Sequence, residues 1–394
     1  MCGGEGNDRV FIKTIHKSGI QTALLLAGIV AAAAALLHWP QAVSGGVSRG
    51  LSICSTVIIP SLFPFLVLAG FLVRSGVGAA VGRRLERPVR FLFGLPGCCA
   101  SAILISLVGG YPAGGVAVGE LVRTGQITQR EGKRLLRFCV NAGPAFILST
   151  VGAGLLGNMR YGLVLFGAHI AASLLLGILG HVLDGRRPQK ETAEKRPKPE
   201  QKLPAAAAFV ESVNAACRSL LYMCGFVVLF AALLALCDVT GISGFFTWLL
   251  TKPFSALGLD ASALSCLLPC LLEVSCGCVE AAGAGAMAPL LLGLAMGWGG
   301  LSVHCQLAAS LHPYHLMDRG FFAGRALHAL LAGMLSVLLF RIIPLPVGVF
   351  SPMTDAIVVP YATSAVTSLA LLVMCALLLL TGARSRKIGI GNDR

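Results

Sequence analysis

The stretch Leu107-Val-Gly-Gly-Tyr-Pro-Ala-Gly-Gly115 breaks an apolar run in its middle, and Leu272-Glu-Val-Ser-Cys-Gly-Cys-Val-Glu280 breaks another at the matching place in the second half of the chain. Hydrocarbon offers no water to unpaired backbone groups, so non-helical backbone at membrane depth survives only where protein or a wet cavity covers it. Paired interruptions at corresponding positions of two halves point to a secondary transporter, in which helix ends and free backbone groups face a substrate near the midplane.

Working outward, the chain is 56% hydrophobic and only 12% charged, with a mean hydropathy of +0.82. That composition excludes an ordinary soluble domain. Residues 20–39 form a continuous apolar run after Arg9, Lys13 and Lys17, longer than a signal-peptide core and read as an uncleaved first helix. Further spans are expected at 52–73, 138–156, 161–182, 220–239, 287–307, 321–343 and 363–381. The sequence therefore predicts an all-α polytopic membrane protein of about eight transmembrane helices, with the broken runs 98–118 and 264–285 as two re-entrant hairpins.

Loop charge orients these spans, since Lys and Arg concentrate on the cytoplasmic side. Arg83, Arg84, Arg87 and Arg90 precede the first hairpin and Arg123, Arg130, Lys133, Arg134 and Arg137 follow it, so it opens inward. Arg49 and Arg160 are isolated exceptions. The segment 184–202 holds seven basic and four acidic residues, and the C-terminal tail is basic, so both are placed in the cytoplasm, as is the N-terminus. Lys252 stands nearly alone beside the second hairpin, which is expected to open outward. The pattern crossing, hairpin, crossing, crossing occurs twice in opposite orientation, an inverted repeat.

The organisation that follows is a tail and first helix at 1–40 and a first repeat at 41–183. A charged, solvated linker at 184–204, a second repeat at 205–345 and a last helix with a basic tail at 346–394 complete it. The net charge of +14 sits at loop positions that orientation already explains, so nucleic acid is not an expected partner. Fourteen cysteines are present, but Cys98-Cys99 and Cys276-Gly-Cys278 lack metal-site spacing and read as buried thiols. No cofactor motif, phosphate loop, nucleophile elbow or metalloprotease helix appears, and the chain is not read as an enzyme.

The candidate site residues lie at the breaks. Tyr111 and Pro112 lie in the break Gly109–Gly115, which is expected to be non-helical, with a helix resuming over Val116–Arg123 whose first amides can face an anion; the break can equally be a turn between packed arms. Pro144 loosens the next crossing, leaving Asn141 to bind a ligand or to join helices. Glu273 lies at membrane depth, where a charge is costly; it is protonated, paired with a cation, or a coupling site for a proton or sodium ion. Glu280 reads as the outer mouth, in water. Gly297-Trp-Gly-Gly-Leu-Ser-Val-His-Cys-Gln306 breaks the partner crossing, and Ser302 and Gln306 share a helical face there. His304 is either a proton carrier or a packing residue. Arg325 and His328 share a face about 9 Å along the seventh crossing, either as a cationic collar or with Arg325 snorkelling to the interface.

Several stretches together resemble the sporulation integral membrane protein family of the YlbJ type. They are Pro60-Ser-Leu-Phe-Pro-Phe65, Gly109-Gly-Tyr-Pro112, Gly125-Gln-Ile-Thr128 leading into Arg134-Leu-Leu-Arg-Phe-Cys-Val-Asn-Ala-Gly-Pro144, Gly299-Gly-Leu-Ser-Val-His-Cys-Gln306 and Gly324-Arg-Ala-Leu-His-Ala-Leu330. The chain departs from that pattern at Val140 and at Cys276-Gly277, where the family tends to carry asparagine. The resemblance implies a nucleoside-recognition gate-domain protein similar to a concentrative nucleoside transporter core. It also implies transport of dipicolinic acid from mother cell to forespore, in the outer forespore membrane of a spore-forming bacterium. A planar dianion would need donors at two edges and a flat apolar slot. The amides after Pro112, Asn141, Gln306 and Arg325 would supply the donors and Tyr111 the slot. A nucleoside or nucleobase carrier and a non-transporting scaffold of spore assembly are the alternatives.

Overall fold

Glycines set the closest helix approaches and so the framework that holds the breaks. The computed structural model describes residues 26–28, 30, 31, 33–74, 77–183, 204–255 and 261–343, which form helices and connecting turns without a strand. The last expected crossing, 363–381, the linker and both charged tails lie outside the described residues.

Helix α1 (Leu26–His38) meets the run Pro40–Ile58 at 93°. That run comprises α2 (Pro40–Ile53) and a wide π-helical turn, Cys54–Ile58, and continues into α3 (Ile59–Arg74). Then come α4 (Val77–Phe93), α5 (Cys99–Gly109), α6 (Tyr111–Arg123) and α7 (Gln129–Leu136). A π-helical stretch, Ala145–Leu155, precedes α8 (Met159–Leu183). The second half runs α9 (Ala205–Val239), α10 (Ile242–Ser255), α11 (Ala261–Ser265), α12 (Leu267–Leu272) and α13 (Val274–Ala282). It closes with α14 (Ala288–Trp298), α15 (Gly300–Leu311) and α16 (Arg319–Ile342).

Among the described residues four helical runs are long and apolar enough to cross a membrane: Met159–Leu183, Ala205–Val239, Gly285–Tyr314 and Arg319–Ile342. A fifth is reached if α1 and Pro40–Ile58 count as one bent span. On α16, Leu330, Met334, Leu338 and Ile342 form an exposed stripe at helical spacing, opposite buried Ala329, Ala332, Gly333 and Ser336. Such a contiguous exposed apolar face fits a lipid-facing helix.

Two helices stand where loop was expected, and each precedes a hairpin. In α4 the arginines 84, 87 and 90 are exposed while Val89 and Phe93 are buried. The charge that suggested a loop is one face of an amphipathic helix. In α10, Phe245, Trp248 and Leu249 are exposed. At 14 residues it is shorter than a span requires.

Both broken runs fold back as helical hairpins. At Gly110 the backbone takes φ 82° and ψ −175°, open to glycine but strained for other residues, and α5 packs on α6 beyond it. A Cβ on Gly114 would lie 2.6 Å from the Ser106 Cβ across the arms. In the second hairpin the turn is Glu273, and a Cβ on Gly277 would lie 2.5 Å from the Cys270 Cα.

The seam between α14 and α16 is built from small residues in register. A Cβ on Gly293 would lie 2.6 Å from the Gly333 Cα, and one on Gly297 2.5 Å from the Ala329 Cα. Each helix thus offers a small residue every fourth position, which lets backbones approach where water supplies no driving force. Gly297→Ala should destabilise the purified protein by about 1–3 kcal/mol, as overpacking does. Thermal melting in detergent checks this against Gly167→Ala, whose added Cβ would meet nothing within 4 Å and should not lower the melting point.

Candidate functional site

Each hairpin turn rests on an unwound stretch of another segment. A Cβ on Gly143 would lie 3.2 Å from the Gly110 Cα, so the first turn sits on the non-helical backbone of residues 140–143. A Cβ on Gly300 would lie 3.0 Å from the Glu273 Cα, so the second turn sits on the break between α14 and α15. Consecutive positive φ angles at Gly299 (87°) and Gly300 (79°) make that second break. Few residues other than glycine tolerate them.

The broken end of α14 leaves four carbonyls without intrahelical partners, and each is met from a different place. The Ala295 carbonyl accepts from the Gly299 amide at 2.8 Å. The Met296 carbonyl accepts from the Tyr111 hydroxyl at 2.7 Å, which brings the first hairpin against the second half. The Gly297 carbonyl accepts from the Arg325 guanidinium. The Trp298 carbonyl lies 3.1 Å from His304 Nε2, so that ring donates as its Nε2–H tautomer. Tyr111, His304 and Arg325 are buried, and all three cap one helix end.

Glu273 is the N-cap of α13: its carboxylate accepts from the Cys276 amide at 2.8 Å. Its second oxygen lies 3.5 Å from the Ser302 hydroxyl in the first turn of α15. A buried carboxylate thus faces the starts of two helices, whose partial positive charge favours an anion. Glu280, by contrast, is exposed. No group of three or more metal-ligating side chains occurs among the described residues.

In the first break Asn141 donates to the Ser106 hydroxyl and to the Phe138 carbonyl, both at 2.9 Å, and its own carbonyl oxygen has no partner. The next amide, Ala142, donates to His169 Nε2 at 3.0 Å. His328 bridges Arg325, 2.8 Å from its Nδ1, and the His169 carbonyl, 3.1 Å from its Nε2.

The structure thus gathers Tyr111, Ser302, Glu273 and Arg325 around the α14–α15 break and ties Asn141 to them through two histidines. Pro112 occupies the first turn of α6 and is half-buried. Gln306 lies one turn beyond Ser302 and is half-buried, whereas Ser302 is fully covered. The reading of Arg325 as a snorkelling side chain is overturned: the residue is 0% exposed. The reason is that the face of α16 that carries Arg325 packs into the protein, with Phe321, Gly324 and His328 buried and Gly324 lying under Arg137, while Arg319 and Phe322 on the other face are exposed. The sequence reading missed His169, which lies in the middle of an unbroken apolar helix with no break or motif to mark it.

No family model matches the chain. It is 26% identical over 353 residues to "Sporulation integral membrane protein YlbJ" of Bacillus subtilis (strain 168), an alignment covering 83% of this chain and 85% of that protein. This similarity, spread over most of both chains, supports the YlbJ-type family. Solved structures extend the likeness to fold. The concentrative nucleoside transporter CNTnw, in an inward-facing substrate-bound state, matches with a TM-score of 0.50 at 14% identity, over 86% of this chain and 87% of that one. A CNTnw variant in its intermediate 2 state matches with a TM-score of 0.52 at 13% identity, over the same shares. The chain is therefore a helical membrane protein whose fold resembles that of CNTnw.

Proposed function

We propose that the chain is an integral membrane transporter of a small anionic metabolite, with dipicolinate, passed from mother cell to forespore, as the cargo. One observation carries the choice of an anion. Arg325 is fully buried, no carboxylate lies within ion-pair distance of it among the described residues, and its Nε and Nη1 have no partner. An unpaired charge taken out of water costs several kcal/mol, and the carbonyl end of α14 offsets only part of it, roughly half an elementary charge. A substrate carboxylate accepting from the two free N–H groups would complete the pairing.

Tyr111, Pro112, Asn141, Ser302 and Gln306 would surround the ring and second carboxylate of such a cargo, and Glu273 would take the coupling proton or sodium ion. The membrane frame is eight crossings with two re-entrant hairpins in an inverted repeat, both termini in the cytoplasm, in the outer forespore membrane. The YlbJ-type relationship supports the sporulation setting, and the fold likeness supports transport.

A second reading is a nucleoside carrier, favoured by the fold of its neighbours and by the full use of one Arg325 nitrogen in capping α14. Melting of the purified protein with dipicolinate and with a nucleoside panel separates the two. A ligand that binds only the folded state stabilises it by about 2.7 kcal/mol at a hundredfold excess over its dissociation constant. The anion reading expects a saturable shift with dipicolinate and none with nucleosides. The reverse pattern would establish the second reading.

A further inference from the structure

The first unwound stretch and the end of α14 belong to different halves of the chain, yet one run of hydrogen bonds joins them. Arg325 donates to the Gly297 carbonyl and to His328 Nδ1, His328 Nε2 reaches the His169 carbonyl, and the Ala142 amide donates to His169 Nε2. The two rings are buried, with centroids 4.6 Å apart. Their tautomers follow from their partners alone. A guanidinium and a backbone amide can only donate, so His328 Nδ1 and His169 Nε2 must each offer a lone pair. His328 therefore carries its proton on Nε2, and His169 carries its own on Nδ1. Both rings are neutral in this arrangement.

We infer that His169 and His328 are positioning residues that fix the Ala142 amide, and with it Asn141 and the first hairpin turn, relative to the Arg325-capped end of α14. The two broken crossings are thereby held in one register. The inference is independent of the cargo, because every contact in it lies within the protein. It differs from simple packing in being specific to one atom, the acceptor at the Nε2 position of residue 169. Glutamine can place a carbonyl oxygen there, asparagine falls one methylene short, and leucine fills the space without an acceptor.

The test is hydrogen–deuterium exchange of the full chain in lipid nanodiscs without ligand, followed in peptides covering residues 138–146. Removing one buried hydrogen bond of about 0.5–1.5 kcal/mol speeds local exchange roughly two- to tenfold. His169→Asn and His169→Leu should show that increase, and His169→Gln should remain near the native rate. His328→Leu should also raise exchange at 138–146, although the hydrogen bonds of His328 go to Arg325 and the His169 carbonyl. Equal exchange in the Gln and Asn variants, or an unchanged rate in His328→Leu, would overturn the inference. If the leucine variants do not fold, the Gln and Asn pair alone decides, since they differ by one methylene. Because no cargo is present, the outcome stands apart from whether dipicolinate is the substrate.

Discussion

Arg325→Gln is expected to raise the dissociation constant for dipicolinate roughly 10- to 150-fold, since each charge-assisted hydrogen bond contributes about 1.5–3 kcal/mol. The side chain is fully buried and two of its nitrogens are free to donate. Removing its charge therefore removes the positive potential on which the anion reading depends. Arg325→Lys should fall between the native protein and the Gln variant, because an ammonium keeps the charge and loses the planar fork. Loss of the cap on Gly297 will also lower stability, so binding is compared at a temperature where melting curves show all three proteins folded. Native affinity for dipicolinate in both variants would remove Arg325 from the site and leave it a helix cap only.

Glu273→Gln is expected to abolish gradient-driven accumulation while leaving exchange of cargo across the membrane intact. Glutamine keeps an oxygen that can accept from the Cys276 amide and a group facing Ser302, so the start of α13 retains its cap. What it cannot do is take up a proton at neutral pH or neutralise a cation. In proteoliposomes, accumulation under a proton or sodium gradient should fall at least about tenfold, the scale of losing a charged hydrogen-bonding partner. Counterflow of preloaded cargo should continue. If accumulation persists at the native level, coupling lies elsewhere and Glu273 is a structural cap.

The paired breaks were legible because glycine, proline and carboxylate in the middle of apolar runs have few other uses. Gly110, Gly143, Glu273 and Gly299–Gly300 lie where the chain departs from helix. The pairing of each hairpin turn with an unwound stretch was not legible, because it depends on distances between segments remote in sequence. The helices α4 and α10 were hidden for opposite reasons: arginines masked the buried face of the first, and the second is too short to read as a span. Arg325 was identified as a residue to watch, but its burial was not legible. Counting about 1.5 Å per residue from Arg319 gives a distance along the helix, whereas burial depends on which face packs inward, and the face of Phe321, Gly324, Arg325 and His328 is covered by segments remote in sequence. His169 offered no pattern, since its partners are an amide 27 residues earlier and a ring 159 residues later.

Uptake of labelled dipicolinate into proteoliposomes containing the purified chain tests transport of an anion most directly. The account expects saturable uptake above that of empty liposomes, displaced by excess unlabelled dipicolinate and not by nucleosides. Uptake equal to that of empty liposomes, or uptake of nucleosides in its place, would contradict it.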